Sequence, residues 1–247
     1  MADDTDALAG AQAFVFDVFG TVVDWQGSVS AALRARTEGA ADEDWVAFAK
    51  EWRQGYYETT RRVAQGGAGP GNVDVMHREI LDRMLASERW QHLARLWADE
   101  ERRELVLIWH RLDGWPDASE GLYALKNKAI IGTLSNGNVR LLVDMAKHAD
   151  LPWDVVFAGD LLGSYKPNPK MYLGAVRHLG LRPEQVVMVA AHIADLRAAA
   201  SHGLRTVYVR RPTEDAPTVR ADVRAKAVGG EVDAVVDSFA ELAALVG

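Results

Sequence analysis

The sequence predicts an α/β fold, a parallel β-sheet wrapped by helices, with a helical insertion after its first strand. Two observations carry this. Short apolar runs rich in Val, Ile and Phe alternate with segments of helical periodicity along most of the chain. The exception is the interval from about residue 24 to 112, where only helical spacing is found.

Residues 13–18 (AFVFDV) read as a strand covered on both faces, since they lack polar alternation. Asp24 and Trp25 begin the insertion. Residues 42–63 set Trp45, Phe48, Ala49, Trp52 and Tyr56 at helical spacing with acids in the first turn, and core packing is the ordinary use of such aromatics. The stretch 66–71 (GGAGPG) is a loop; without the lysine and preceding strand of a phosphate loop, it reads as a connector. Helices follow near 73–86 and 99–112, with Ile80, Met84, Leu105, Ile108 and Leu112 on their apolar faces. Strands are then expected at 129–134, 155–158, 186–190 and 206–209, with a short sixth at 234–236. Helices lie between them around 138–149, 168–179 and 194–202. Asn168-Pro169 supplies an N-cap with proline in the first turn, and Gly203 lies just past a helix end. Residues 1–23 and 113–247 thus form an α/β core domain and 24–112 a helical cap domain. An insertion there lies above the carboxyl ends of the strands, where open α/β sheets hold their ligands, and excludes water from them.

Composition narrows the function classes. A chain of 247 residues with 49% hydrophobic and 26% charged residues is an ordinary globular protein. A net charge of -7 and a pI near 5.5 argue against nucleic-acid binding, which calls for a basic face. With no cysteine, disulfides, thiolate metal sites and cysteine nucleophiles are excluded. The acidic start, MADDTDALAG, is not a secretory signal, and no apolar run reaches the roughly 20 residues that span a bilayer. The expectation is a cytoplasmic protein without membrane partners.

Four polar clusters close four of the expected strands. Asp17 ends the first and is followed by Phe19, Gly20 and Thr21. Burial of a carboxylate costs several kcal/mol unless it is paired, on the order of known desolvation penalties, although a turn or helix-cap aspartate would serve as well. Ser135 and Asn136 end the second, where capping is their commonest use. Lys166 stands between Tyr165 and Pro167, with Tyr172 six residues on. His192 and Asp195 follow the strand 186–190; Asp195 alone could be a first-turn acid favoured by the helix dipole, and His192 alone a structural histidine. Together the clusters converge on one crevice, and a carboxylate, a hydroxyl, a lysine and a second carboxylate form a nucleophilic site with its electrostatic support.

This order resembles the haloacid dehalogenase superfamily, whose motifs are a nucleophilic Asp, a Ser or Thr, a Lys and a terminal acidic motif, on a Rossmann-like core with a cap inserted after strand one. Most members are magnesium-dependent phosphatases with a second Asp two residues after the nucleophile and two acids in the last motif. Here those positions hold Phe19 and Ala191. Both changes remove the hard oxygen ligands that magnesium requires, and phenylalanine cannot protonate a leaving alcohol. The remainder resembles the 2-haloacid dehalogenase branch, which uses no metal or other cofactor and takes an arginine from the cap, matched by Trp52-Arg53-Gln54 with Tyr57. Arg53 and Tyr57 share a helix face; Arg53 could equally be one solvated charge among many. The last motif departs from the branch, since Ala191-His192 stands where many dehalogenases have Ser-Asn.

The resemblance implies that Asp17 attacks C2 of a short (S)-2-haloalkanoate to form an aspartyl ester, with Lys166 keeping it ionised. Thr21, Ser135 and backbone amides would bind the substrate carboxylate, Arg53 and Asn136 would receive halide, and Phe19, Tyr57 and Tyr172 would line the pocket. Water, assisted by Asp195 or His192, would then free an (R)-2-hydroxyalkanoate. The expected partners are the haloacid, halide and a second copy of the chain in a homodimer. Another metal-free hydrolase of the superfamily, or a catalytically silent binding protein on the same fold, are the competing readings.

Overall fold

The computed structural model describes residues 7–37 and 42–246. Six parallel strands form one sheet in the order β3-β2-β1-β4-β5-β6. They are β1 (Ala13–Phe16), β2 (Ile130–Ser135), β3 (Val155–Ala158), β4 (Val186–Ala190), β5 (Arg205–Val209) and β6 (Ala234–Val236). Each expected strand forms within one or two residues of its predicted ends, because both faces are covered. One buried cluster joins Phe14, Phe16, Val187 and Val189 to the insertion; a second packs Val15, Met188 and Tyr208 under Met171 and Tyr172.

Between β1 and β2 the described residues contain helices but no strand: α1 (Trp25–Arg36), α2 (Trp45–Ala64), α3 (Val73–Ala86) and α4 (Asp99–Val106), with 3₁₀ turns at Gln91–Leu96 and Leu107–His110. Asp24 caps α1 by accepting from the Gly27 N–H at 2.9 Å. Asp44 caps α2 in the same way through Ala47, and Trp45, Phe48, Trp52 and Tyr56 all face the core. The expected 99–112 helix ends earlier, since α4 tightens into the 3₁₀ turn at Leu107. Beyond it come α5 (Ala118–Lys126), α6 (Val139–His148), α7 (Gly159–Leu162), α8 (Pro169–Leu179), α9 (Ile193–Ser201), α10 (Pro217–Asp222) and α11 (Phe239–Leu245).

From β1 the chain steps outward to β2 and β3, then crosses back to β4 on the other side of β1. That reversal opens a crevice at the carboxyl end of β1, the place where such sheets take ligands. The insertion covers it. Asn168 donates to the Ala64 carbonyl at 3.0 Å and Tyr165 to the Pro70 carbonyl at 2.9 Å, joining loops of the sheet to the ends of α2 and the following glycine-rich connector.

Candidate active site

Asp17 emerges from the central strand one residue after Phe16, which pairs with Thr133 on one side and Val189 on the other. Its side chain is almost wholly buried yet fully partnered. Oδ1 accepts from Lys166 Nζ at 2.8 Å. Oδ2 accepts from Thr21 Oγ1 at 2.8 Å and lies 3.1 Å from His192 Nδ1. Burial by itself would raise this carboxyl, but Lys166 and then His192 outweigh it and hold Asp17 far below the usual carboxylate range. The group is therefore an anion at the floor of the crevice.

Lys166 is held from both ends. Its backbone N–H donates to Asn136 Oδ1 at 2.6 Å, and its ammonium bridges Asp17 and Asp195. Burial disfavours the ammonium, but the two carboxylates overcome this and push it above the ordinary lysine range. Asp195, in the first turn of α9, also accepts from the Tyr172 hydroxyl at 2.6 Å. Burial, opposed by Lys166, leaves its carboxyl raised.

On the opposite wall, Arg53 rises from α2 into a cage of rings. Its guanidinium carbon lies 4.4 Å from the Tyr56 ring centre, 4.5 Å from Tyr57, 4.8 Å from Phe19 and 5.6 Å from Trp25. Nη2 donates to the Tyr57 hydroxyl at 3.2 Å, whereas Nε and Nη1 are buried without a protein partner. Burial also pushes the Tyr56 hydroxyl up to about 12. Between the walls lies a cavity of about 570 Å³ bordered by Asp17, Arg53, Tyr57, Asn136, Lys166 and His192, among others.

Of the residues singled out from the sequence, Asp17, Arg53, Tyr57, Asn136, Lys166, Tyr172, His192 and Asp195 border the cavity, whereas Thr21, Ser135 and Phe19 are buried and do not. The Thr21 hydroxyl gives its one proton to Asp17 and accepts the Ala191 N–H at 2.9 Å, so it has none left for a substrate carboxylate. The Tyr172 proton is likewise spent on Asp195. Ser135 is buried behind the cavity, where Oγ accepts from the Gly137 N–H at 3.1 Å. Phe19, also buried, stacks under Arg53.

The segment after Arg210 reaches the site. Glu214 lies 2.8 Å from His192 Nε2 and accepts the Trp25 indole N–H at 3.0 Å. Asp215 borders the cavity and caps the start of α9 through the Ile193 N–H. The available signal was position: β5 is a fifth strand whose carboxyl end faces the same crevice, and Glu214-Asp215 follows it.

A magnesium ion does not fit this donor set. The Asp17 and Asp195 oxygens that would coordinate it are bridged by the Lys166 ammonium, and His192 stands between Asp17 and Glu214. Phe19 and Ala191 present no oxygen donor where further ligands would be needed.

Comparison with known proteins identifies the family. The haloacid dehalogenase-like hydrolase family matches residues 11–203. The (S)-2-haloacid dehalogenase 4A of Burkholderia cepacia is 30% identical over 207 residues, covering 81% of this chain and 83% of that protein. The crystal structure of a defluorinating L-2-haloacid dehalogenase superposes with a TM-score of 0.84 at 38% identity, over 96% of this chain and 95% of the other. A phosphoglycolate phosphatase of Chromobacterium violaceum is 25% identical over 65% of this chain and 73% of its own. With its parallel sheet, its Asp17–Lys166–Asp195 centre and this match over most of its length, the chain belongs to the haloacid dehalogenase-like hydrolases.

Proposed function

We propose that this hydrolase cleaves the carbon–halogen bond of short (S)-2-haloalkanoates through an ester on Asp17 and without a metal. The observation that carries the reading is Arg53: a buried guanidinium in an aromatic cage, with two unpartnered nitrogens, bordering the same cavity as an ionised Asp17. A large, weakly hydrated monoatomic anion suits such a wall. The similarity to named 2-haloacid dehalogenases supports the same choice.

In this mechanism Asp17 attacks C2 from the side opposite the halogen, forming the Asp17–C2 bond as the halide leaves toward Arg53 and Asn136. The substrate carboxylate is held by the backbone amides of the turn after Asp17. Lys166 keeps the nucleophile charged until it reacts. Asp195, whose carboxyl is raised and therefore more basic, takes a proton from the water that cleaves the ester. C2 is inverted once, giving the (R)-2-hydroxy acid.

The direct test is halide release from (S)-2-chloropropionate in the presence of a chelator. Activity is expected, and a strict requirement for magnesium would overturn the metal-free reading. Single turnover in heavy-oxygen water should label Asp17 rather than the product hydroxyl; label found first in the hydroxyl would exclude the ester. An Asp17→Asn variant should release no halide. A parallel assay with p-nitrophenyl phosphate and magnesium tests for phosphatase activity, and (S)-2-fluoropropionate tests whether fluorine is accepted, as similarity to a defluorinating enzyme suggests.

A further inference from the structure

Glu214 has no part in the mechanism above. It lies past β5, its side chain is buried, and its carboxylate accepts from Trp25 Nε1 at 3.0 Å and Thr213 Oγ1 at 3.1 Å. It also sits directly on Gly20, where φ is +87° and a Cβ would run into the carboxylate. A side chain tied down from three directions holds His192 Nε2 at 2.8 Å. With the ring protonated, as its two carboxylate neighbours favour, Nε2–H faces Glu214 and Nδ1–H meets Asp17 Oδ2 at 3.1 Å.

The two Asp17 oxygens are thereby made unequal. Oδ2 accepts from both Thr21 and His192, which occupies its two in-plane lone pairs. Oδ1 accepts from Lys166 and keeps one pair for attack. Alkylation at Oδ1 leaves Oδ2 as the carbonyl oxygen of the ester, with two donors already in place. Such donors matter most when charge develops on that oxygen.

We propose that Glu214 is a positioning residue for the second half-reaction: it fixes His192 so that Nδ1–H and the Thr21 hydroxyl form the oxyanion site at Asp17 Oδ2. The inference rests on the ester reading above. Water adds at Cγ; its O–Cγ bond forms as the carbonyl pair moves to Oδ2 and one water proton passes to Asp195. When that pair returns, the Cγ–Oδ1 bond breaks and the departing alkoxide takes the proton from Asp195. The second water proton leaves the regenerated Asp17 acid for solvent.

The groups facing His192 are Asp17, Glu214 and Asp215 from the strand ends, Tyr57 and Arg53 from α2, and the Lys166–Asp195 pair beyond Asp17. Burial works against the imidazolium, but Tyr57, Asp17 and Glu214 outweigh it and raise it well above the ordinary range. In the ester Asp17 has lost its charge and Glu214 is the carboxylate left to hold the ring protonated, so ester hydrolysis should fall as pH rises through the His192 titration of that intermediate. Removing the Glu214 charge should move the fall to lower pH.

The experiment pairs rapid-quench kinetics on (S)-2-chloropropionate with NMR titration of the His192 ring, in wild type and Glu214→Gln. The expected result is a stoichiometric halide burst in the variant, ester detected on Asp17 by mass, and ester hydrolysis slowed about tenfold with alkylation little changed. The His192 titration should shift to lower pH, and Glu214→Asp should recover most of both. Equal slowing of the two steps, or an unmoved titration, would overturn the proposal. Should Glu214→Gln fail to fold, Thr213→Val removes only one donor to the same carboxylate and should give the same pattern more weakly; no ester build-up there counts against the role. If wild type releases no halide, the dehalogenase reading fails and the oxyanion role with it, while the titration still reports separately whether Glu214 controls the imidazole.

Discussion

At the scale of single residues, this site depends on where each proton is committed. Thr21 is the clearest case. Its hydroxyl donates to Asp17 and accepts the buried Ala191 N–H, so it orients the Asp17 carboxylate and closes the loop after β4 together. Thr21→Val keeps the shape but strands that N–H, at a cost of about 1–3 kcal/mol. Chemical denaturation should show the loss, and Thr21→Ser should restore stability and turnover. Arg53 depends instead on its planar shape. Arg53→Lys keeps the charge but loses the stacking on four rings and the two unpartnered guanidinium nitrogens. Turnover should fall about a hundredfold, in the range seen for loss of one charge-stabilising donor, and the deficit should lie in halide-forming single-turnover rates. Fully retained activity in Arg53→Lys would argue against Arg53 as the halide site.

At the scale of elements, most of what positions the site is legible in the sequence, and the exceptions have physical causes. The strands show because burial on both faces writes itself as uninterrupted apolar runs, and Asp17, Asn136, Lys166 and Asp195 show because each interrupts or follows such a run. Helix α1 is faint: Gly27, Ser28 and Ser30 dilute its apolar stripe. Helices α5 and α11 are short and bury their faces largely against each other, with Gly121 lying against Phe239, so neither carries a long period. The order of the strands and the reach of Glu214 are results of tertiary structure; a loop after β5 has no periodicity from which to read them. One loop residue now stands out. Arg211 is buried, donates to the Thr21 carbonyl at 2.9 Å and makes a two-pronged pair with Asp117 at 2.7 and 3.1 Å. Asp117 in turn accepts the Phe239 N–H at 2.8 Å, at the start of α11. Burial would raise the Asp117 carboxyl, but Arg211 and that N–H lower it. Arg211→Ala leaves the carboxylate uncompensated beside buried surface and should cost about 3 kcal/mol. The melting temperature should drop accordingly, with more loss than in Asp117→Asn, which keeps the cap on α11.

At the scale of the whole molecule, the question is what holds the insertion over the sheet. His110 is one tie. Its buried ring lies between Asp74 of α3, at 3.0 Å from Nε2, and Asp144 of α6, at 2.9 Å from Nδ1. Asn138 reaches the same Asp74 at 3.1 Å, and Arg140 pairs with Asp144, so the contact spans insertion and core. Arg111, Lys147 and His148 border the hollow beside it. Burial disfavours the charged ring, but the two carboxylates prevail and raise its pKa. A histidine raised on folding stabilises most below its unfolded value of about 6.5, and loses that contribution as pH rises through the folded value. Wild type should therefore exceed His110→Gln in stability by its widest margin in mildly acidic solution, and the margin should narrow above neutrality. Denaturation midpoints of the two proteins across that range measure it directly. A margin that stays constant with pH would mean that His110 holds the insertion as a neutral ring, by packing and hydrogen bonding alone. The site's own charges sit elsewhere, since neither Asp74 nor Asp144 borders the cavity above Asp17. Loss of this tie should thus reach activity only indirectly, by loosening the helices that carry Arg53 and Tyr57: KM should rise before the rate of alkylation falls.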